Sequence, residues 1–259
     1  MNGQQPSLTV VMPAFNEEGR LPLSLRRIRE FFNYSERSYE VLVVDDGSWD
    51  RTSAVVREFA NSWPQLKLIS LSRNQGKGAA VQAGMLAATG KRRLFTDADL
   101  STPLDELSKL EVQLDAGVEI AIGSRAVPGS RVERHQPLHR ELMGKSYNRL
   151  LRLLVLPGLR DTQCGFKLFT AEAADACFRE LECRRFGFDA EVLLRACLNG
   201  IKVAEVGVAW RNAPGTKVSS LTDGGQMLID LWQLRRRWGA PPLGVTFLAE
   251  SGHPNGSKR

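Results

Sequence analysis

The stretch LFTDADLSTP, Leu94 to Pro103, sets two carboxylates, Asp97 and Asp99, one residue apart at the end of a strand-like run. Two like charges that close raise each other's cost of ionisation unless a cation lies between them, so a divalent metal site is one reading. The other is a helix start, in which Ser101 or Thr102 caps a helix opening at Pro103 and the acids favour its positive end. This segment alone leaves both open. A second acidic turn, VVDDGSWDRT (43–52), carries Asp45 and Asp46, which can accept from a nucleobase amide or a ribose hydroxyl. Ser48 and Asp50 read more simply as helix caps in that turn. SRNQGKGAAVQAG (72–84) adds glycines that let backbone approach a phosphate or base, with Lys77 as a point charge. It lacks the G-x-G-x-x-G spacing, so a nicotinamide site is a poor match.

These residues need elements that bring them together. LTVVMP (8–13), EVLVVDD (40–46), LKLISL (66–71), RRLFTD (92–97) and VEIAIGS (118–124) are short β-rich runs, separated by helical patterns around 18–32, 51–61, 77–88 and 103–115. Strands alternating with helices imply βαβ units and an α/β fold with a mainly parallel sheet covered on both faces. Ligands of such sheets bind at the carboxyl ends of the strands. Every run here ends in polar or special residues: Pro13 to Glu17, Asp45 to Ser48, Arg73 to Gly78, Asp97 to Ser101 and Gly123 to Arg125. They should converge on one crevice, which favours the metal reading of the paired acids.

After Arg125 the pattern loosens. A basic loop, VPGSRVERHQPLHR, leads to helices near 140–156, 171–180, 188–199 and 222–238, with a strand ending DTQCGFKLF (161–169) and strands near 201–210. Without a repeat or linker the chain reads as one domain over 8–239, dividing after Arg125 into halves at 8–125 and 126–239. Residues 1–7 and 240–259 read as tails.

The chain has 259 residues, 42% hydrophobic and 25% charged, and a net charge of +6, the profile of an ordinary globular protein with an anionic partner. The longest charge-free apolar run, LLVLPGL (153–159), is too short to cross a bilayer, and no leader-like segment is read. Cys164, Cys177, Cys183 and Cys197 show no C-x-x-C spacing, which argues against zinc and for reduced thiols in the cytoplasm. His135 and His139 sit four apart, but Pro137 between them favours solvated surface over ligation.

Together, PAFNEE (13–18), VVDDGSWDRT, RNQGKGAAVQAG, the D-x-D of TDADLSTP, GSR (123–125), DTQCGFKLF, RFGFDAEVLLRA (185–196) and GTKVSSLTDGGQMLIDLWQLR (215–235) resemble the family 2 glycosyltransferases of the GT-A fold. Within that family the series is most similar to the branch that glycosylates a polyprenyl or dolichyl phosphate. The resemblance covers about residues 8–238. It implies that Pro13, Phe15 and Glu17 line the nucleoside pocket, with Asp46 on the base. Asp97 would lie near ribose and metal, and Asp99 would ligate Mg²⁺ or Mn²⁺. Ser101 stands where mannose synthases carry a glutamine ligand, so that contact would pass through water.

Displacing a nucleoside diphosphate builds negative charge on the leaving phosphate, which a carboxylate-held metal stabilises as a Lewis acid. Arg125 and Lys217, which lie in the matched motifs, would add fixed positive charge, whereas Arg131 reads more simply as a solvated loop charge than as a third such group. Asp189 matches the region where hydroxyl-using relatives place a general base. A lipid phosphate has its second pKa near 6 and needs none, so Asp189 and Glu191 alternatively orient the sugar or pair within the fold. The helices RELMGKSYNRLLRLLVL (140–156) and MLIDLWQLRRRWG (227–239) are basic and amphipathic, suited to a core face or to a headgroup layer.

The expectation is an inverting, metal-dependent transfer of a hexose, glucose from UDP-glucose ahead of mannose from GDP-mannose, onto a polyprenyl phosphate. The protein would be peripheral on the cytoplasmic face of a membrane or held there by a partner protein. A soluble hydroxyl acceptor, and a non-catalytic nucleotide-sugar or anionic-lipid module, are the competing readings. The absence of an aromatic-interleaved basic strand face argues against nucleic acid.

Overall fold

The computed structural model describes residues 5–134, 138–212, 222–239 and 247–249. Four strands from the first half lie parallel and side by side: β1 (Leu8–Ala14), β2 (Tyr39–Asp45), β3 (Leu66–Ser70) and β4 (Arg92–Thr96). In register, Val10 of β1 faces Val41 of β2 and Leu94 of β4. β1 is buried along its whole length, as a central strand with helices on both faces must be. Because successive side chains alternate, Val11, Val44 and Phe95 enter one core, while Val10, Met12, Val43 and Leu94 enter the other.

The crossing helices follow from the same periodicity. α1 (Leu21–Asn33) buries Leu21, Leu25, Ile28 and Phe32, spaced as one helical face. α2 (Thr52–Ala60) buries Val55 and Val56, and α3 (Lys77–Ala87) buries Ala80, Val81 and Met85. The pattern expected over 103–115 divides into a 3₁₀ turn, Leu104–Glu106, and α4 (Leu107–Asp115). Neither Ser101 nor Thr102 caps it. Pro103 precedes the turn with extended backbone and no side-chain cap, while Ser101 and Thr102 are buried.

The second half shares the first half's sheet. β5 (Ile120–Ser124) pairs parallel with β8 (Val203–Gly207), but β7 (Phe166–Thr170) runs antiparallel between β4 and β5. The full order is β10-β8-β5-β7-β4-β1-β2-β3. β6 (Arg131–Arg134) pairs with β9 (Ala209–Arg211) in a separate two-stranded ribbon, inside what reads in sequence as a basic loop. Within the stretch expected to be a tail, β10 (Phe247–Ala249) adds to β8. α5 (Leu138–Leu154), α6 (Ala171–Phe178), α7 (Phe188–Leu198) and α8 (Thr222–Trp238) complete the architecture. α6 is capped by the Thr170 hydroxyl, which accepts from the Ala173 N–H at 3.2 Å.

The chain steps from β1 outward to β2 and β3, then returns through α3 to β4 on β1's other side. The gap between β1 and β4 is therefore the switch point where doubly wound sheets open a crevice. Since β7 is antiparallel, its first residue, Phe166, lies opposite Thr96. The DTQCG loop thus arrives at the same edge as Asp97.

Candidate active site

The turn after β4 is built around its two acids. The Asp97 N–H donates to the Gly165 carbonyl at 3.1 Å, and the Leu100 N–H to the Asp97 carbonyl at 3.1 Å. Leu100 is buried yet held at φ 48°, a left-handed conformation that costs a branched residue about 1–3 kcal/mol. Gly165 is required here, because a Cβ would stand 2.0 Å from Asp97 Oδ2. Ser101 donates its N–H to Asp99 Oδ1 at 2.9 Å, so it braces the acid it follows. Burial, and then the charge of Asp97, push the Asp99 carboxyl above the usual range.

One cation answers these charges directly. Lys77 Nζ lies 2.7 Å from Asp97 Oδ1. Burial opposes its charge, but Asp97 and then Asp189 outweigh that effect and raise its pKa. Lys77 opens α3 behind Gly76, whose φ of 104° is closed to most side chains. Asp46 fixes this loop by accepting the N–H groups of Gln75 at 2.7 Å and Gly76 at 2.8 Å. The carboxylate expected on a base therefore holds the glycine loop with both oxygens, each of which retains further lone-pair capacity.

Further charged groups stand on the neighbouring elements. Arg125 forms a fork with Asp161, Nε to Oδ2 at 2.7 Å and Nη2 to Oδ1 at 2.9 Å, and lies over the Trp210 ring at 5.2 Å. Burial of Arg125 is outweighed by Asp161, so its pKa rises. Asp161 is oriented in turn by Glu205, which accepts the N–H groups of Arg160 and Asp161. Lys167 on β7 is 1% exposed, lies 2.5 Å from Asp189 and donates to the Cys164 carbonyl at 2.6 Å. Asp189 is buried and committed to that lysine, which is the geometry of a structural partner. Glu191 is committed too, to the N–H groups of Glu182 and Cys183 and to Arg195. Arg20 grips Glu17 through two contacts of 2.6 Å, and the charges of Asp99 and Asp97 also act on it.

Pro13 is buried inside β1, while Phe15 follows that strand and meets Trp49 edge-on at 5.1 Å. Trp49 is 81% exposed, an aromatic surface at the mouth of the crevice. Phe15, Glu17, Asp46, Lys77, Asp97, Asp99, Arg125 and Asp189 thus share the carboxyl edge of one sheet. Lys217 and His135 lie outside the described residues, and Arg131 is exposed on β6.

Arg20, Trp49, Asp161 and Lys167 do not emerge from the sequence reading. A signal exists for two of them. Arg20 follows Glu17 at helical spacing, and Lys167 is a lone charge inside the apolar run CGFKLF, which buried strands tolerate only with a partner.

The D-x-D fits a hard divalent cation. Its donors are carboxylate oxygens, and the lysine at 2.7 Å shows that the pair is charged enough to hold a cation. Among the described residues no group of three or more His, Cys, Asp or Glu side chains is placed to bind a metal alone. The remaining ligands would have to come from phosphate or water.

The sequence model described as "Glycosyl transferase family 2" matches residues 9–178. The dolichyl-phosphate beta-glucosyltransferase of Homo sapiens is 36% identical over 244 residues, covering 89% of this chain and 75% of that protein. That of Saccharomyces cerevisiae is 32% identical over 247 residues, covering 88% and 74%. Among solved structures, glucosyl-3-phosphoglycerate synthase from Mycobacterium tuberculosis, in complex with Mn²⁺, uridine diphosphate and glucosyl-3-phosphoglycerate, superposes with a TM-score of 0.67 at 19% identity. The match covers 92% of this chain and 82% of that one.

Proposed function

The chain belongs to glycosyl transferase family 2 and has its GT-A fold, and from that premise we propose that it moves glucose from UDP-glucose onto a polyprenyl phosphate of the dolichyl type. The observation that carries the reading is the D-x-D, compensated by Lys77 at the β1/β4 crevice. Its support in kind comes from relatives named dolichyl-phosphate beta-glucosyltransferases and from a fold neighbour solved in complex with Mn²⁺ and UDP-glucose.

Asp97 and Asp99 would hold Mg²⁺ or Mn²⁺ together with the donor's phosphates. Bound there, the ion supplies Lewis-acid stabilisation of the leaving diphosphate. Phe15, Trp49 and Glu17 would border the nucleoside, and Asp46 sets the glycine loop against it. Arg125, aimed by Asp161, contributes a fixed positive charge to the diphosphate or the incoming phosphate. The acceptor oxyanion attacks the anomeric carbon from the face opposite the diphosphate. One carbon–oxygen bond forms, the bond to the diphosphate breaks, and configuration inverts. Already ionised near neutral pH, the lipid phosphate requires no proton removal, which leaves Asp189 as the buried ion-pair partner of Lys167.

The second half is suited to a membrane surface. Leu151 of α5 and Leu231 and Leu234 of α8 enter the core, whereas Leu153, Leu154, Leu228, Ile229 and Trp232 are exposed. Arg236 and Arg237 stand exposed on the same α8. An apolar face flanked by arginines is attracted to anionic headgroups and weakened by salt, over a Debye length of about 8 Å at physiological ionic strength. Among the described residues no helix is long and apolar enough to cross a membrane.

The test offers labelled UDP-glucose and GDP-mannose with polyprenyl phosphate, with the dephosphorylated polyprenol and with soluble alcohols, each with Mn²⁺ or excess chelator. Glucose transfer to the lipid phosphate, lost in chelator, is expected. Preference for polyprenol or a soluble alcohol would overturn the acceptor, preference for GDP-mannose the donor, and full activity in chelator the metal.

A further inference from the structure

A lysine is poorly placed at the start of a helix, where the backbone dipole already presents positive charge. Lys77 is the first residue of α3, so other groups must compensate for its position. Asp97 does so at 2.7 Å, the charges of Asp189 and Asp99 assist, and the Phe95 and Phe188 rings lie 5.3 and 6.0 Å from Nζ. The acids also depend on the lysine, since burial and mutual repulsion both oppose ionisation of Asp99.

The two lysines near the D-x-D are held differently. Lys167 is locked between the Cys164 carbonyl and Asp189, with a side chain 1% exposed. The Lys77 side chain is 24% exposed, and its ion pair with Asp97 is the one recorded for it among the described residues. One cation is built into the sheet, and the other is tethered at its edge.

We infer that Lys77 is an exchangeable counter-ion: it neutralises Asp97 in the free enzyme, releases it when metal and donor bind, and turns its ammonium to the donor's phosphates. This rests on the metal-dependent reading above. An ammonium at hydrogen-bond distance from Asp97 Oδ1 and a divalent ion on that oxygen repel each other strongly at low dielectric. Lys77 must therefore leave Asp97 before the metal can use it. With metal alone, Lys77 loses an anion and gains none beyond Asp189. With a nucleoside diphosphate present it gains phosphate oxygens, so metal and nucleotide help each other bind. That help is a coupling free energy located in one side chain.

The consequence is a pair of effects with opposite signs. Lys77→Met should bind Mn²⁺ alone more tightly, by about fivefold or more, and should bind UDP at saturating Mn²⁺ more weakly by a similar factor. Titration calorimetry of the wild type, Lys77→Met and Lys77→Gln, with Mn²⁺ and then with UDP, reads both. A residue that merely packs α3 would weaken both or neither. Unchanged or weaker Mn²⁺ binding in the two variants overturns the exchange. A wild type that binds neither Mn²⁺ nor UDP overturns the proposed function itself.

Should the variants fail to fold, the wild type still decides. The ¹⁵N ammonium signal of Lys77, identified by its proximity to both Phe95 and Phe188, should shift on adding Mg²⁺ with UDP while that of Lys167 stays. A Lys77 signal that does not move would also overturn it.

Discussion

Two pairs of carboxylates stand at the ends of β2 and β4, and the loops that follow them make them different chemical objects. Asp45 accepts from the Ser48 N–H at 3.0 Å and from the Ser48 and Ser53 hydroxyls, and Asp46 accepts two backbone N–H groups of the glycine loop. Both are about 3% exposed. Asp97 and Asp99 are half-buried; Lys77 pairs with Asp97, the Ser101 N–H donates to Asp99, and the charge of Arg20 acts on both. The first pair is tied down by several donors of its own chain, and the second by fewer. Acids in a strand-end turn thus differ by how many donors the neighbouring loops supply.

Substitutions that treat the two pairs alike should separate them. The largest effect on turnover is expected from Asp99→Ala, a loss of about 10²–10³-fold with the melting temperature nearly held. Burial and Asp97 raise the folded-state pKa of Asp99, so its ionised form costs stability as pH rises past its unfolded value. Removing it relieves that cost but leaves the Ser101 N–H without its acceptor, and thermal unfolding at neutral pH measures the balance. Full activity in this variant would break the comparison.

Next, Asp46→Ala should weaken UDP binding by about tenfold and also destabilise the fold. It leaves the Gln75 and Gly76 N–H groups without their acceptor, at about 1–3 kcal/mol for each buried orphan. Calorimetry with UDP and a denaturant titration measure both. Loss of UDP binding at unchanged stability would place Asp46 on the ligand alone.

Asp189→Asn should cost less than about tenfold in transfer to lipid phosphate, because the oxyanion needs no base. It should lower stability by several kcal/mol, since Lys167 would keep a buried charge without its counter-ion. An inert but stable variant would restore the base-catalysed reading.

The smallest effect on turnover belongs to Glu40→Gln, at the opposite edge of the sheet. Burial opposes the Glu40 carboxylate, but Lys67, Thr89 and Thr9 outweigh it and bring its pKa down to about 2. A depressed carboxylate stabilises the fold above its unfolded pKa and loses that contribution as pH falls from about 4.5 toward 2. Glu40→Gln should therefore flatten the acid limb of a stability–pH curve and leave turnover at neutral pH intact.

The parallel half is legible in the sequence because local signals agree. Each strand is an apolar run, each helix has its own period, and each strand ends in a turn rich in Asp, Asn or Gly. What stays hidden depends on partners distant in the chain. The Lys77–Asp97 and Arg125–Asp161 pairs cross loops, and no local pattern announces them. The place of β7 between β4 and β5 is likewise a matter of pairing. β6 escaped because RVER carries three charges in four residues, and β10 because three residues show no period. Leu150 and Leu153 of α5 lie on one face at helical spacing, yet Leu150 packs against the core while Leu153 is 74% exposed. Amphipathic spacing locates a face but does not say what covers it.

The late, antiparallel insertion of β7 also sets the order in which the molecule can be made. β4 and β5 are synthesised before the strand that joins them, so at about 5–20 residues per second the nascent sheet stays split for several seconds. During that interval β4 presents the unpaired backbone and apolar flanks of a strand destined for the interior, a template for other chains. A fragment cut after Arg125 would carry both acids of the D-x-D and Asp46, which holds the glycine loop, yet it would leave that edge permanently open. The crevice beside β4 is therefore a late product of translation, finished only when a strand from the second half has threaded into place.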